Sequence, residues 1–268
     1  MILATASFLL SVSQLSPPRL AFAARFYKQG KAKSRIELYV SDLGAGHRRL
    51  LPTTEVPVNV IWLDTNRLAW FSGYEDRNRH YWVSSIRHWA PKLSMEGANR
   101  LAIASREAIV PVTGGKEVLP EEGVGEHLTM SNVEDKLPAS RVGWLTLKSG
   151  QKTWKFENEA LHIWKTQNGR RLWVLSGYRP TGFLEIDELS LWEKGLSPRT
   201  IFSNAGQYDF REDRDIYAFR TPFITRKLND GRHVWVTDLH VGNWTRRTEK
   251  TVIQGLAEII AVSVRPRK

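Results

Sequence analysis

The sequence predicts an all-β protein that forms a single β-propeller domain over residues 24–268, on three observations. Runs of alternating apolar and polar residues have the two-residue period of half-buried strands. Short turns rich in Asn, Asp and Gly separate these runs, as they do in β-hairpins. The runs also recur as two templates that together give four strands in about 45 residues, which is the period of a propeller blade.

Each template is a pair of strands joined by a short turn. The first is found at 61–74 and 163–178, where both copies share Ile-Trp, an Asn in the turn and a closing Ser-Gly-Tyr, and more weakly at 208–219. The second is a strand with Asp-Leu at its end, a glycine turn and an arginine pair, at 37–51 and 233–248. Repetition of whole hairpins is typical of propellers, since each blade is one supersecondary unit.

The blades can be assigned from these copies. Three complete four-stranded blades are predicted, at 57–96, 158–204 and 205–250. Residues 24–54 supply only the later strands of a blade, and 252–264 has the pattern of a lone first strand. We expect this C-terminal strand to join the N-terminal blade and close the ring, which leaves no open sheet edge. Residues 97–156 are too many for one blade and too few for two, so we predict five readable four-stranded blades, with six possible.

The repeated hairpins resemble the TolB-like and WD-type propeller repeats, and the propeller portion of dipeptidyl-peptidase-type proteins without their hydrolase domain. The residues that carry this resemblance are Leu38 to Leu43 with the glycine turn that follows, and their echo from Val234 to Leu239. The usual Trp-Ser-Pro-Asp-Gly turn of the TolB-like repeats is kept only in outline, at 62–66 and 164–169. The resemblance covers most of 35–264 except 97–156. It implies a propeller fold and says little about function, because propellers support many unrelated activities.

Tryptophan is abundant, with 11 residues in the chain. Most of them fall at matching repeat positions, which predicts that they pack between blades and do not form a stacking surface for sugars or bases. The tryptophans at repeat positions are Trp62, Trp70, Trp82, Trp164, Trp173 and Trp235. We expect those outside these positions, Trp89, Trp192 and Trp244, to be free for a functional surface.

The N-terminus has features of a secretory signal peptide. Residues 2–12 are apolar, but the run is too short to span a bilayer, which takes roughly 20 apolar residues. Small residues at Ala21 and Ala23 fit a cleavage site, so we predict that residues 1–23 are removed and that the mature chain is periplasmic or extracellular, with no transmembrane segment. No Lys or Arg precedes the apolar run, and the alternative is an ordinary buried first strand.

Composition and motifs exclude several kinds of chemistry. The chain has no Cys, hence no disulfide, thiolate zinc site or cysteine nucleophile. It contains no G-x-S-x-G pentapeptide, no H-x-H pair and no HExxH motif. The acidic run at 212–215 lacks EF-hand spacing, and the glycines at 114–115 lack the rest of a phosphate-binding loop. We therefore expect no metal, no cofactor and no serine hydrolase site.

A propeller-fold glycosidase is the alternative function. Such an enzyme needs two carboxylates that face each other across a pocket. The candidates are Asp64, Asp187, Glu188, Asp209 and Asp238. Asp42 and Asp238 occupy equivalent repeat positions beside a turn, which favours turn capping over catalysis. A third interpretation is a propeller that serves a separate catalytic partner.

The charge of the chain indicates acidic partners. There are 39 Lys and Arg against 28 Asp and Glu, a formal net charge of +11. The basic residues are spread along the whole chain at alternate strand positions and turns, which favours a solvated surface over a nucleic-acid site. We expect a monomer that binds a protein or an anionic polymer or glycan at one propeller face, and no nucleic acid.

The loops that join the second and third strands of each blade form that candidate face. They are predicted at 74–79, 178–182 and 225–231; all three hold Arg and two begin with Tyr, which are favoured binding residues. The predicted binding residues are Tyr74, Arg77, Arg79, Tyr178, Arg179, Arg226 and Lys227. The sequence thus predicts an exported, soluble, non-catalytic interaction module.

Overall fold

The computed structural model describes residues 19–27, 35–72, 80–95, 140–143, 146–149, 152–155, 159–165, 171–178, 186–193 and 196–267. Within these ranges the regular structure is β, apart from one 3₁₀ turn at Glu212–Arg214. The prediction of an all-β protein is confirmed. Nineteen strands are numbered in chain order: β1 (Leu20–Phe26), β2 (Glu37–Ser41), β3 (Arg49–Leu51), β4 (Pro57–Trp62), β5 (Arg67–Ser72), β6 (His80–Ser85), β7 (Lys92–Met95), β8 (Ser140–Gly143), β9 (Thr146–Ser149), β10 (Lys152–Lys155), β11 (Glu159–Lys165), β12 (Arg171–Tyr178), β13 (Ile186–Glu193), β14 (Arg199–Ala205), β15 (Gln207–Arg211), β16 (Ile216–Arg220), β17 (Ile224–Lys227), β18 (His233–Asn243) and β19 (Thr248–Val264).

Two of the predicted blades are separate antiparallel sheets. Strands β4–β7 form a four-stranded sheet in chain order, which matches the blade predicted at 57–96. Strands β11–β14 form the second, which matches 158–204, and β8 adds a fifth strand beside β11. Strands β9 and β10 pair as a hairpin. The rest of the ambiguous segment, 97–139, lies outside the described residues.

The other two predicted blades are fused into one eight-stranded sheet through β19. The strand order is β15-β16-β18-β19-β1-β2-β3, and β17 pairs with β18 off this path. The first half of β19 pairs with β18, and the second half pairs with β1, from Leu20 opposite Val264 to Phe26 opposite Ala257. The predicted pairing of the C-terminal strand with the N-terminal segment is therefore present. A closed ring of five blades stays a prediction.

One continuous strand, β19, replaces the end of the blade predicted at 205–250 and the lone strand predicted at 252–264. Between its two halves, Gly255 has φ of +53°, a left-handed conformation that favours glycine. The pairing of β18 with β19 also shifts register between Thr237 and His240. This β-bulge turns the strand from one partner to the other without breaking it, because an extra residue bends a strand and increases its twist.

Four units of four strands can be recognised in these sheets. The N-terminal unit is β1–β3 with the second half of β19, the second unit is β4–β7, the third unit is β11–β14, and the last unit is β15, β16 and β18 with the first half of β19. Three apolar clusters join them face to face: second to N-terminal, N-terminal to last, and last to third. This face-to-face stacking of meandering sheets is the arrangement of propeller blades.

Strand β1 is the centre of this stack. Its residues alternate between two cores, with Ala21 and Ala23 against the second unit and Leu20, Phe22 and Ala24 against the last unit. All five are fully buried, as expected of a central strand covered on both faces. The predicted signal-peptide cleavage after Ala23 falls inside β1, so a cut there would divide a buried strand that pairs with β2 on one side and β19 on the other.

The innermost strands of three units are linked by polar groups. Asp209 on β15 accepts hydrogen bonds from Ser263 Oγ (2.8 Å) and the Val264 amide (2.7 Å) on β19. The Arg211 guanidinium donates to the Val264 carbonyl (2.8 Å) and to the Trp62 carbonyl on β4 (3.0 Å). Strands β15, β19 and β4 therefore lie side by side, and the polar groups on their edges are satisfied by neighbouring units.

The tryptophans confirm part of the packing prediction and correct the rest. Trp62, Trp70 and Trp173 are buried between units, as predicted. Trp192 and Trp244, which were expected to be free for a surface, are buried as well; Trp244 packs edge-on against Trp173 at 5.0 Å between ring centroids. Half-buried Trp89 stacks on Trp70 and donates to the Pro52 carbonyl. Trp235 was expected to pack between blades but is 56% exposed, and the side chain of Trp164 lies outside the described residues.

Candidate binding surface

The structure describes part of the predicted binding face. Tyr74, Arg77, Arg79 and Arg179 lie outside the described residues, and only the backbone is described for Tyr178, at the end of β12. Arg226 and Lys227 were predicted in a loop, but they lie on β17. The reason is that 224–227 pairs with 233–236 at the start of β18, which extends the hairpin beyond the body of the sheet. We call this extension, residues 224–236, the arm.

The turn of the arm is held by local hydrogen bonds. The Leu228 amide donates to the Arg232 carbonyl (2.7 Å), and the Gly231 amide donates to the Leu228 carbonyl (3.0 Å). Gly231 has φ of +85°, as such a turn requires. Asp230 accepts from the amide of Arg232 (3.1 Å) and forms an ion pair with its guanidinium, which together lower the pKa of Asp230. The tip of the arm is therefore a defined turn.

The arm exposes large apolar side chains. Ile224 is 58% exposed and Trp235 is 56% exposed, and Leu256, on the adjoining bulge of β19, is 57% exposed. Phe223 contacts Trp235 edge-on, with ring centroids 6.3 Å apart. The guanidinium of Arg220 lies 4.2 Å from the Phe223 ring centroid, in a cation–π contact. Because Ile224 pairs with Val236 and Trp235 pairs with Thr225, Ile224 and Trp235 lie on opposite faces of the arm, and each face exposes one large apolar side chain.

The base of the arm is anchored to the bulge in β19. Arg226 Nη1 donates to the Gly255 carbonyl, and the Gly255 amide donates to Asp238 Oδ1 (2.7 Å). Thr221 Oγ1 accepts from the Asp238 amide (3.0 Å). Beneath these contacts, burial lowers the pKa of Arg220 to about 10. The arm is thus tied to the sheet by Arg226, while the side chain of Lys227 is exposed.

The two aspartates at equivalent repeat positions have different roles. Asp42 Oδ1 accepts from the Gly46 amide (3.0 Å), and this hydrogen bond lowers the pKa of Asp42, so the predicted turn capping is present there. Asp238 instead bonds Gly255, 17 residues along the chain. It therefore holds the bulge of the neighbouring strand and does not cap its own turn.

The carboxylates considered for a glycosidase are engaged in the fold where the structure describes them. Asp64 accepts from the amides of Asn66 (2.8 Å) and Arg67 (2.7 Å) and pairs with the Arg67 guanidinium. Burial opposes ionisation of Asp64, but these donors outweigh it and lower its pKa. Asp209 and Asp238 bind β19 as described above, and Glu188 accepts from Ser190 (3.2 Å) and Thr200 (3.3 Å). The side chain of Asp187 lies outside the described residues.

One polar cluster has no counterpart in the sequence predictions. Glu55 contacts His80 Nδ1 (2.7 Å to Oε1), Ser72 Oγ and the Trp82 indole nitrogen (3.4 Å). The residue types are those of a hydrolytic triad, but Ser72 donates to Glu55 and not to His80, so the serine–histidine hydrogen bond of a triad is not formed. Burial opposes ionisation of Glu55, yet the three donors outweigh it and lower its pKa. Ser72 and His80 lie 17 and 25 residues after Glu55, a spacing that matches no sequence motif, so the sequence did not reveal this cluster.

The described residues contain neither a metal-binding cluster nor a membrane-spanning helix. No group of three or more His, Asp or Glu side chains among them could hold a metal ion. No helix in the described part of the chain is long and apolar enough to cross a membrane.

Comparison with known proteins gives distant structural similarity only. No family model and no curated protein matches the chain. Similar solved structures include TolB from Acinetobacter baumannii, with a TM-score of 0.48 and 10% identity over 93% of this chain and 67% of that one. A protein from Lactobacillus plantarum has a TM-score of 0.39 and 9% identity, covering 92% and 99% of the two chains. The tricorn protease has a TM-score of 0.23 and 10% identity over 84% of this chain and 22% of that one.

These similarities carry over no residue role and no activity to this chain. A TolB structure is among the similar folds, as the repeat resemblance implied, and the WD-type part of that resemblance stays a prediction. The division into stacked four-stranded units rests on the chain's own strand pairing.

Proposed function

We propose that this chain is an exported, non-catalytic β-propeller module that binds an extended acidic segment of a partner protein through the arm. The observation that carries the proposal is the exposure of Trp235 and Lys227 on one face of the arm and of Ile224 on the other. Apolar anchors next to a cation are the composition of a recognition surface, because the anchors supply most of the affinity and the charge selects the partner.

An extended segment suits the arm because β17 has an open side. Strand β17 pairs with β18, and no other described strand pairs with it. A free edge presents unpaired N–H and C=O groups to which another chain can add as a strand. An added segment that alternates apolar and acidic residues would place carboxylates near Lys227, on the face that Lys227 shares with Trp235, and apolar side chains near Ile224 on the other face.

The test uses designed peptides of about ten residues, because the partner is not identified. We expect a labelled peptide that alternates Glu and Val to bind with a fluorescence-anisotropy change, and a peptide that alternates Lys and Val not to bind. The double variant Lys227→Glu/Trp235→Ala should weaken binding by at least about tenfold, a loss of about 1.4 kcal/mol.

The matched control is Lys92→Glu/Leu196→Ala, which makes the same charge change and removes another exposed apolar side chain elsewhere. It should leave the peptide affinity within about twofold. Equal weakening by both double variants, or equal binding of both peptides, would show that the arm is not a specific surface.

The non-catalytic part of the proposal is supported by the occupied carboxylates. Asp64, Asp209, Asp238 and Glu188 each accept hydrogen bonds from neighbouring groups of the fold. A glycosidase would instead need one acid and one nucleophile or base facing a common pocket. Hydrolysis of chromogenic glycosides by the wild-type protein, lost in Asp209→Asn, would overturn the proposal.

The periplasmic or extracellular location rests on the apolar run at 2–12. We propose export of a monomer in which the N-terminal, second, third and last units and a fifth blade that includes the β9–β10 hairpin form a closed ring. Cell fractionation followed by mass measurement of the exported chain tests both the location and the cleavage position. Recovery of the whole protein from the cytoplasm would refute export.

A further inference from the structure

A cleft of about 700 Å³ lies at the opposite end of β18 from the arm. Its walls come from the turn between β15 and β16, the hairpin between β18 and β19, and the turn after β2. Arg19, just before β1, and Arg267, just after β19, complete the lining. The cleft therefore lies where the N-terminal and last units meet, and its volume is that of a small-molecule site.

The lining has an excess of positive charge. Among the residues whose side chains the structure describes, five cations and three acids line it: Arg19, Arg214, Arg246, Lys250 and Arg267, with Asp213, Asp215 and Glu249. Two positive charges are thus in excess. Arginine is suited to anions with several oxygens because its planar fork of N–H groups binds them in pairs.

Two of the acids already have partners in the fold. Glu249 accepts from the Tyr217 hydroxyl (2.9 Å) and contacts His240 Nδ1 (3.0 Å). Burial and this hydrogen bond to Glu249 raise the pKa of Tyr217 above its ordinary value, so Tyr217 stays a donor at neutral pH. Asp213 accepts from the backbone amide of Arg267. These contacts fix the positions of Glu249 and Asp213, whose negative charges are already counted in the balance above.

Three arginines converge at one side of the cleft. Burial lowers the pKa of Arg214; the negative charge of Asp213 opposes this shift, and the nearby positive charges of Arg19 and Arg267 add to it. Arg214 Nη2 donates to the Pro266 carbonyl (2.8 Å), whereas its Nε is buried with no hydrogen-bond partner among the described residues. Like charges held together cost free energy, which a bound anion would recover.

Backbone contacts fix this convergence. The Arg19 amide donates to the Ser41 carbonyl (2.7 Å), and the Arg19 carbonyl accepts from the Arg265 amide (2.8 Å). The backbone of Arg267 is held by Asp213. The side chains of Arg19 and Arg267 are exposed, so the fold places them at the cleft while leaving both free to meet a ligand.

We propose that this cleft is a binding site for a phosphate monoester, carried by a small molecule or by a lipid headgroup. A phosphate monoester has a charge of about −1.5 to −2 at neutral pH and three acceptor oxygens, which matches the charge excess and the several arginine donors. A single carboxylate would neutralise only half of that excess. The site is separate from the arm and does not depend on the proposed partner segment.

The experiment titrates glycerol 3-phosphate into the full chain and measures the heat of binding by isothermal titration calorimetry. We expect saturable binding, no binding of glycerol, and weaker binding below about pH 6, where the phosphate loses its second charge. The double variant Arg19→Gln/Arg267→Gln should raise the dissociation constant by at least about tenfold. Because both side chains are exposed and their backbone contacts are retained, the variant should fold as the wild type does.

The matched control is Arg87→Gln/Lys92→Gln, which removes two exposed positive charges from the second unit, away from the cleft. It should keep the dissociation constant within about twofold. Vesicles that contain phosphatidic acid distinguish a lipid headgroup from a small-molecule ligand. Vesicle binding that is lost in Arg19→Gln/Arg267→Gln would identify the ligand as a lipid headgroup. Binding of glycerol 3-phosphate without vesicle binding would identify it as a soluble molecule. Absence of binding to both probes, or equal loss in both double variants, would overturn the site.

Discussion

Asp209 joins the last unit to the N-terminal unit and, through Arg211, to the second unit. Its carboxylate is buried, accepts two hydrogen bonds from β19 and lies 3.7 Å from the Arg211 guanidinium, which in turn binds β4. Three units thus meet at one charged group. Removing one partner of a buried pair leaves the other uncompensated, which costs more than the pair itself contributes.

Asp209→Ala should therefore lower the free energy of unfolding by about 3 kcal/mol. Denaturant unfolding at neutral pH measures this change. Asp230→Ala is the control, since Asp230 is exposed and bonds only within its own turn, and it should have little effect on stability. Equal midpoints for wild type and Asp209→Ala would contradict the linking role.

Glu55 predicts a pH dependence of stability. Its pKa in the folded protein is below the ordinary value of 4.5, because the donors Ser72, His80 and Trp82 outweigh burial. A lowered folded pKa means that the stabilisation is complete above the unfolded value and is lost as pH falls through the folded value. The wild type should exceed Glu55→Gln in unfolding free energy at about pH 7, and this difference should shrink toward about pH 3. A constant difference across this range would refute the assignment, and Ser72→Ala should show an intermediate effect.

Individual tryptophans show the limit of sequence prediction at this scale. The repeat positions correctly placed Trp62, Trp70 and Trp173 in the core. Trp235 shares a repeat position, but its strand continues past the sheet body into the arm, where no described neighbouring unit covers it. Burial depends on where neighbouring units end, and a local pattern holds no information on that.

Strand β1 is the element on which the cores of two interfaces depend. Deleting Leu20–Ala23 would expose both faces of the sheet and remove pairing to β2 and β19. Burial of Leu20 and Phe22 alone contributes about 2 kcal/mol each.

A chain that begins at Ala24 should thus be less stable than one that begins at Arg19 by at least about 4 kcal/mol, close to the total stability of many domains. Circular dichroism during thermal unfolding of both chains measures this difference, with the full chain as reference. Equal transitions would mean that cleavage after Ala23 is compatible with the fold. The stable exported form is expected to keep Leu20.

Most elements could be predicted, and the exceptions have physical causes. The two-residue period and the turn residues correctly predicted the hairpins of the second and third units. The continuous β19 could not be predicted, because its change of partner at Gly255 depends on two units meeting there. Likewise, 225–227 was predicted as loop because its polar residues mask the pairing of β17 with β18.

The N-terminal unit should be the last part of the molecule to open when the protein is denatured. The N-terminal unit is covered by the second unit on one face and the last unit on the other. Amides of β1 and of 257–264 should therefore exchange with deuterium only on global unfolding, while amides of the exposed arm exchange by local opening. Mass spectrometry of exchanged peptides measures both. Exchange of β1 earlier than β5 or β6 would contradict its central place.

The two candidate sites differ in how far the sequence could predict them. Arg226 and Lys227 were predicted because polar residues between strands stand out in the pattern. The cleft was not, because its cations come from Arg19, Arg214, Arg246, Lys250 and Arg267, which are far apart in the chain. The pairing of β1 with β19 brings Arg19 beside the others, and the pairing of β16, β18 and β19 brings the turns of the last unit together.

Because of that pairing, the order of the strands along the chain could be changed without changing which strands are neighbours. The described ends lie side by side, with Leu20 opposite Val264 and the Arg265 amide bonded to the Arg19 carbonyl. A circularly permuted gene, with a short linker between these ends and new termini in the exposed turn at 229–231, would encode the same strand neighbours. Where the chain starts is therefore set by the gene, and the order in which the units lie beside one another does not depend on it.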